Sequence, residues 1–137
     1  MLRKTMPKTA KKPTRSKLVK KLDVVFSQYI RLSRADERGF CRCFTCGRQG
    51  HWKTGGIQAG HFMSRKHYAT RWDEENVQPQ CVSCNLFKSG QQYKFSVFLG
   101  SELANELYLK SKEIVKFSIQ DLQDMIEDYQ AKLKTFQ

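Results

Sequence analysis

Two Cys-x-x-Cys elements, Cys43–Cys46 and Cys81–Cys84, and three isolated polar residues, His61, Asn76 and Asn85, are the side chains whose types and spacing could do chemistry. Two residues between paired cysteines let one tight turn aim both sulfurs at one ion, and Gly47 relieves the backbone just after the first pair. Four thiolates suit tetrahedral Zn²⁺ at about 2.3 Å and leave no place for water, so this spacing predicts a structural zinc. A small core gains much of its folding free energy from such a clip, and removing the metal should unfold it. Cys41 is the odd cysteine: two residues from Cys43 it could substitute as a ligand, but it reads better as a buried strand residue. Five cysteines in a reducing compartment argue for metal rather than disulfides.

The segment between the pairs is longer than the ~15–20 residues of a simple zinc ribbon. The excess holds His61 and an Arg-rich loop, "HFMSRKHYATRWDEEN". A zinc pinning both pairs would bring Asn85, which directly follows Cys84, close to the strand carrying His61. Hydrolysis of a phosphodiester needs a base for water and a cation to neutralise the phosphate and the leaving oxygen. A histidine with a pKa near 6.5 suits the first task. An oxygen ligand such as Asn85 can hold a hard ion, Mg²⁺ or Mn²⁺, with positions open for phosphate. On spacing alone the bland alternatives stay open: a packed histidine, a helix N-cap at Asn85, a turn closed by Asn76. Arg65, Lys66 and Arg71 cluster beside His61 and could grip phosphates or form a solvated basic face, and Lys88 could reach DNA from the next helix.

These residues need elements to position them. Leu18, Leu22, Val25, Phe26, Tyr29 and Leu32 recur at helical spacing. Short strands and turns are expected over residues 40–63, an irregular polar stretch over Ser64–Pro79, and a short helix from Cys84 to Gly90. Phe95 to Leu107 predicts further helix broken near Gly100, and Ser118 with Asp121 forms a capping-box signature before Ile119, Leu122, Ile126, Tyr129 and Leu133. The pattern is α+β: a basic, unfolded arm at residues 1–15, a zinc-containing domain at 16–100, and a helical extension at 101–137.

Charge points to a polyanionic partner. The net charge is +12 over 137 residues, and residues 1–21 hold nine Lys or Arg and no acid. Phosphates neutralised by such an arm release condensed counterions, so nucleic acid is the expected partner. No apolar run approaches the ~18 residues of a membrane span, and a cytoplasmic location is expected.

The series "CFTCG", "QAGHFMSRKHYATRWDEENVQPQCVSCNLFKSG" and the preceding "KLDVVFSQYIRL" resembles the HNH, or ββα-metal, endonucleases, and within them the phage NinG/Rap recombination nucleases. The resemblance covers about residues 17–100. It implies a zinc-stabilised, treble-clef-like ββα-metal core flanked by helices, cutting branched DNA such as Holliday junctions and displacement loops to leave a 5′-phosphate and a 3′-hydroxyl, inside the bacterial host. Carried over, His61 is the general base, Asn76 fixes the His ring through a backbone contact, and Asn85 ligates the catalytic metal, as the asparagine does in the similar phage endonuclease VII. One position departs: such enzymes usually place Asp or His directly before the base, and here it is Gly60. Asp73, with Glu74 and Glu75 behind it, is the candidate replacement, or else a solvated acidic turn. A non-catalytic zinc module binding nucleic acid or a protein partner is the alternative to the nuclease. Symmetric cutting of a junction would need two sites, hence an expected homodimer with the apolar C-terminal helix as candidate interface.

Overall fold

A computed structural model describes residues 12–136, so most of the expected basic arm lies outside the described residues. Helix α1 (Arg15–Ser33) is capped by Thr14, whose side chain accepts a hydrogen bond from the Lys17 N–H. Its apolar residues fall three and four apart, and Leu18, Val19, Leu22, Val25, Phe26 and Ile30 are buried along one stripe. Two antiparallel pairs follow. Strand β1 (Phe40–Arg42) pairs with β2 (Gln49–His51), and the first cysteine pair occupies the turn between them. Strand β3 (Ile57–His61) pairs with β4 (Val77–Cys81), in a register that sets His61 opposite Val77 and Ile57 opposite Cys81.

Strand β4 and the short helix α2 (Tyr68–Arg71) occupy the stretch expected to be irregular. Pro79 reads as a strand breaker because it has no N–H. Here its carbonyl accepts from Phe44 N–H at 2.8 Å. A residue's N and C=O lie on the same side of a strand, so the missing donor faces the cysteine turn and costs no bond to β3.

A π-helical turn, Ser83–Phe87, carries Cys84 and Asn85 where a short helix was expected. Then α3 (Gln92–Leu99) and α4 (Ser101–Ser111) are divided at Gly100, which has φ +90°. Helix α5 (Ile119–Lys134) starts with a full capping box between Ser118 and Asp121. Leu122, Ile126 and Tyr129 join the α1 residues, Trp72 and Val77 in one core, and Phe26 and Tyr129 meet edge to face at 5.1 Å. The face of α5 expected to join two protomers packs against the apolar stripe of α1. A second cluster joins Phe62, Phe95, Ala104 and Leu107. No helix among the described residues is long and apolar enough to cross a membrane.

Leu22 is fully buried between α1 and the rest of the core, whereas Val24 is 57 % exposed. Leu22→Ala is expected to cost about 2–5 kcal/mol, and Val24→Ala no more than about 0.5 kcal/mol. Urea unfolding followed by circular dichroism measures both.

Candidate functional site

The cysteine pairs meet because β1–β2 and the end of β4 are tied together. The Gly47 N–H donates to the Cys43 carbonyl, and Gly47 takes φ +78°, closing the first turn. The Phe44 bond to Pro79 holds that turn on β4. The sulfurs of Cys43, Cys46, Cys81 and Cys84 lie within 4.8 Å of one another, and Cys46 and Cys81 are 3.7 Å apart. A tetrahedron with ~2.3 Å zinc–sulfur bonds has edges of about 3.8 Å, so the group can hold a metal such as zinc. Around it, the Thr45 hydroxyl lies 3.5 Å from the Cys43 sulfur, and the Cys84 N–H donates to the Cys81 sulfur. Burial raises the Cys43 thiol, but hydrogen bonds from Thr45 and from backbone N–H groups outweigh it and bring it to about 6. At Cys46 a backbone N–H from Arg48 favours the thiolate, yet burial and the Cys43, Cys81 and Cys84 sulfurs push it up to about 12. Four thiols cannot all ionise so close together without a cation between them. Cys41 is buried in β1, outside the group.

Beside this centre lies an open cleft of about 560 Å³. His61 and Asn85 both line it, together with Gln58, Arg65, and Asp23 and Ser27 from α1. His61 Nε2 is 2.9 Å from the Arg71 carbonyl. A carbonyl only accepts, so Nε2 carries the proton and Nδ1 keeps its lone pair. Burial lowers the imidazole pKa, opposed by the Arg71 carbonyl, with smaller effects from Arg65 and Asp23. Asn85 donates through Nδ2 to Gln58 Oε1 at 2.8 Å, leaving its own carbonyl oxygen as the available ligand atom. The loop behind His61 is held by Asn76, which is fully buried. Its Oδ1 accepts from Met63 N–H, its Nδ2 donates to the Met63 and Thr70 carbonyls, and its backbone carbonyl accepts from Phe62 N–H.

The family model described as Bacteriophage Lambda NinG protein matches residues 2–137. The chain belongs to the NinG family. Comparison with curated proteins and with solved structures returned no match.

Several expected site residues of this NinG-family chain lie elsewhere. Asp73 is not in the cleft: its carboxylate bonds Lys110 of α4 at 2.6 Å and caps the Glu75 N–H. Glu74 accepts from the Tyr129 hydroxyl. Arg71 is not free for phosphate, because Asp23 takes its guanidinium with contacts of 3.1 and 2.6 Å. Asn76 does make the backbone contacts expected of it, to Met63 and Thr70 in the loop next to Arg71. Lys66 and Lys88 are exposed and do not line the cleft. Arg65 lines it with 63 % of its side chain exposed, 3.9 Å from Asp23.

Sequence reasoning missed Asp23. It binds Arg71 and accepts from the Trp72 indole at 3.0 Å, fixing the segment whose carbonyl meets His61. Its signal was a carboxylate on the margin of an apolar stripe, four residues after Val19 and three before Phe26. Gln80 was also missed. It is fully buried, donates to Thr45 and to the Gly90 carbonyl, and stands where a Cβ on Gly60 would come within 1.8 Å of its Oε1.

Two outcomes are expected here. Chelation of metal from the purified chain should release roughly one zinc per chain and abolish cooperative unfolding, read by metal analysis and circular dichroism. Asp23→Ala leaves a largely buried guanidinium unpaired and should cost about 3–5 kcal/mol, whereas Arg65→Ala should cost less than about 1 kcal/mol, both by urea unfolding.

Proposed function

We propose that this chain is a metal-dependent endonuclease of the HNH, or ββα-metal, kind, acting on branched DNA such as Holliday junctions and displacement loops in phage recombination. The observation that carries this reading is the shared cleft: a histidine held in one tautomer beside an asparagine whose side-chain oxygen is free. The order β3, β4, helical turn, with the cysteine centre behind it, supports a ββα-metal core. Family membership supports the branched-DNA substrate.

In this mechanism His61 Nδ1 takes a proton from water while Nε2 stays bonded to the Arg71 carbonyl. The water oxygen bonds to phosphorus, the bond to the 3′-oxygen breaks, and the leaving oxygen takes a proton from solvent water, giving a 5′-phosphate and a 3′-hydroxyl. Mg²⁺ or Mn²⁺ bound at Asn85 would neutralise the phosphate and the leaving oxygen. Arg65, exposed at the cleft, meets a neighbouring phosphate. Asp23 and Asn76 act from behind, by holding the loop that orients the imidazole.

A second reading is favoured by one observation: Gln80 fills the space that any side chain at position 60 would need, so an acidic residue cannot stand directly before His61. It makes the chain a zinc module that binds branched DNA, or a protein partner, without cutting.

Incubation of the zinc-loaded chain with a labelled four-way junction and a matched linear duplex, with Mg²⁺, with Mn²⁺ or with neither, separates them. Metal-dependent cutting of the junction is expected, reduced about 10²–10⁴-fold in His61→Ala. Tight junction binding with no cutting in either metal, or an unimpaired His61→Ala, would sink the nuclease. Burial lowers the His61 pKa, so its basic form prevails from below pH 6.5 upward. Accordingly kcat/KM should fall as pH drops through that lowered pKa and be level at pH 7 and above. A profile still rising through pH 7 would count against His61 as base.

A further inference from the structure

Beyond the cleft, the segment Leu86–Lys94 reads "LFKSGQQYK" and places an aromatic residue followed by lysine twice, at Phe87-Lys88 and Tyr93-Lys94. Phe87 and Tyr93 are each 81 % exposed, although rings of this size are normally well covered. Each sits beside a residue of the cleft wall: Leu86 and Gln92 line the same cleft as His61 and Asn85. Neither lysine forms an ion pair among the described residues, and no Asp or Glu occurs from Asn76 to Ser101.

The backbone between the two pairs is held with effort. Ser89, Gly90 and Gln91 are three successive left-handed residues, with φ of 52°, 83° and 50°. Side-chain-bearing residues keep that conformation only where surroundings over-determine it, and such strain gathers at ligand sites. Two bonds enforce it here. The Gly90 N–H donates to the Cys84 carbonyl at 2.8 Å, and its own carbonyl accepts from Gln80 at 2.9 Å. The turn is therefore anchored to the cysteine centre and to β4, while the rings on either side stay in solvent.

We propose that Phe87 and Tyr93 are stacking platforms for unpaired bases of a DNA strand whose backbone runs through the cleft, with Lys88 and Lys94 meeting the adjoining phosphates. This rests on the reading of the cleft as the seat of a phosphodiester, and it names the feature of branched DNA that is recognised: bases without partners near the branch. Every base has a π face, so stacking selects unpaired structure and tolerates any sequence. A polyanion fits better than a protein partner, because Lys88 and Lys94 flank the rings with no acid from Asn76 to Ser101, although Leu86 and Val97 are exposed beside them.

The test uses the full zinc-loaded chain without added Mg²⁺ or Mn²⁺, so that binding is read apart from cutting. Fluorescence anisotropy compares a duplex bearing an unpaired thymine tail with the same duplex blunt-ended. A 2-aminopurine in the tail reports stacking by quenching. The parent should prefer the tailed duplex and quench the probe. Removing each ring, Phe87→Ala or Tyr93→Ala, should weaken tail binding about 5- to 150-fold and relieve quenching, with blunt-duplex affinity within about twofold. Tail preference retained in the double variant would overturn the proposal, as would equal losses on both DNAs. Retained tail binding with a parental dimer falling to monomer by light scattering would overturn it too, and assign the rings to a protein interface. Tail stacking without cutting in any metal would remove the nuclease and leave the platforms; cutting without tail preference would do the reverse.

Discussion

Four sulfurs gathered within 4.8 Å set the geometry on which the rest of this small domain depends. Neither strand pair has a sheet large enough to stand alone, and isolated hairpins are marginal in water. The cysteine centre joins the β1–β2 turn to the end of β4, so that two weak hairpins become one unit. It also fixes the π-helical turn, because Cys84 is part of both. Asn85 is thereby carried to β3 and bonded to Gln58. Asn85, remote in sequence from His61, comes to line the same cleft through the gathering of the cysteines.

A second constraint comes from outside the cysteine-bearing segment. Asp23 on α1 grips Arg71 and Trp72, and the Arg71 carbonyl sets the His61 tautomer. Helix α1 is in turn seated by α5 through a shared apolar core. The orientation of the proposed base is thus linked to the last helix of the chain. Residues from 101 onward belong to the support of the cleft, in this sense, as much as the strands do.

The parts of this arrangement carried by local pattern could be read from sequence. The cysteine spacing, the stripes of α1 and α5, and the Ser118 capping box each depend on a few neighbouring residues. The break at Gly100 follows from its left-handed φ in the same local way. Strand β4 was hidden because Pro79 usually ends a strand, and only the direction of its carbonyl toward Phe44 shows why it does not. The fates of Asp73 and Arg71 depended on partners 37 and 48 residues away, Lys110 and Asp23. No spacing rule reaches that far. An acidic cluster beside a basic one looks the same on the page whether it faces metal, solvent or a distant helix.

Gly60 shows how these constraints compete. Gln80 crosses the face of β3 to hold Thr45, beside the cysteine centre, and Gly90, in the strained turn. That crossing occupies the space of a side chain at position 60, since a Cβ there would lie 1.8 Å from Gln80 Oε1. The same amide oxygen is the one buried side-chain polar atom without a hydrogen-bond partner among the described residues. An unpartnered buried acceptor is costly, about 1–3 kcal/mol, and the two bonds on the amide nitrogen, to Thr45 and Gly90, offset it. An acidic residue at position 60 and a glutamine strut at position 80 are therefore mutually exclusive as the backbone stands. The chain keeps the strut, and with it the rigid turn that separates Phe87 from Tyr93. Of the oxygen donors expected from the sequence, Asn85 alone lines the cleft with its side-chain oxygen free.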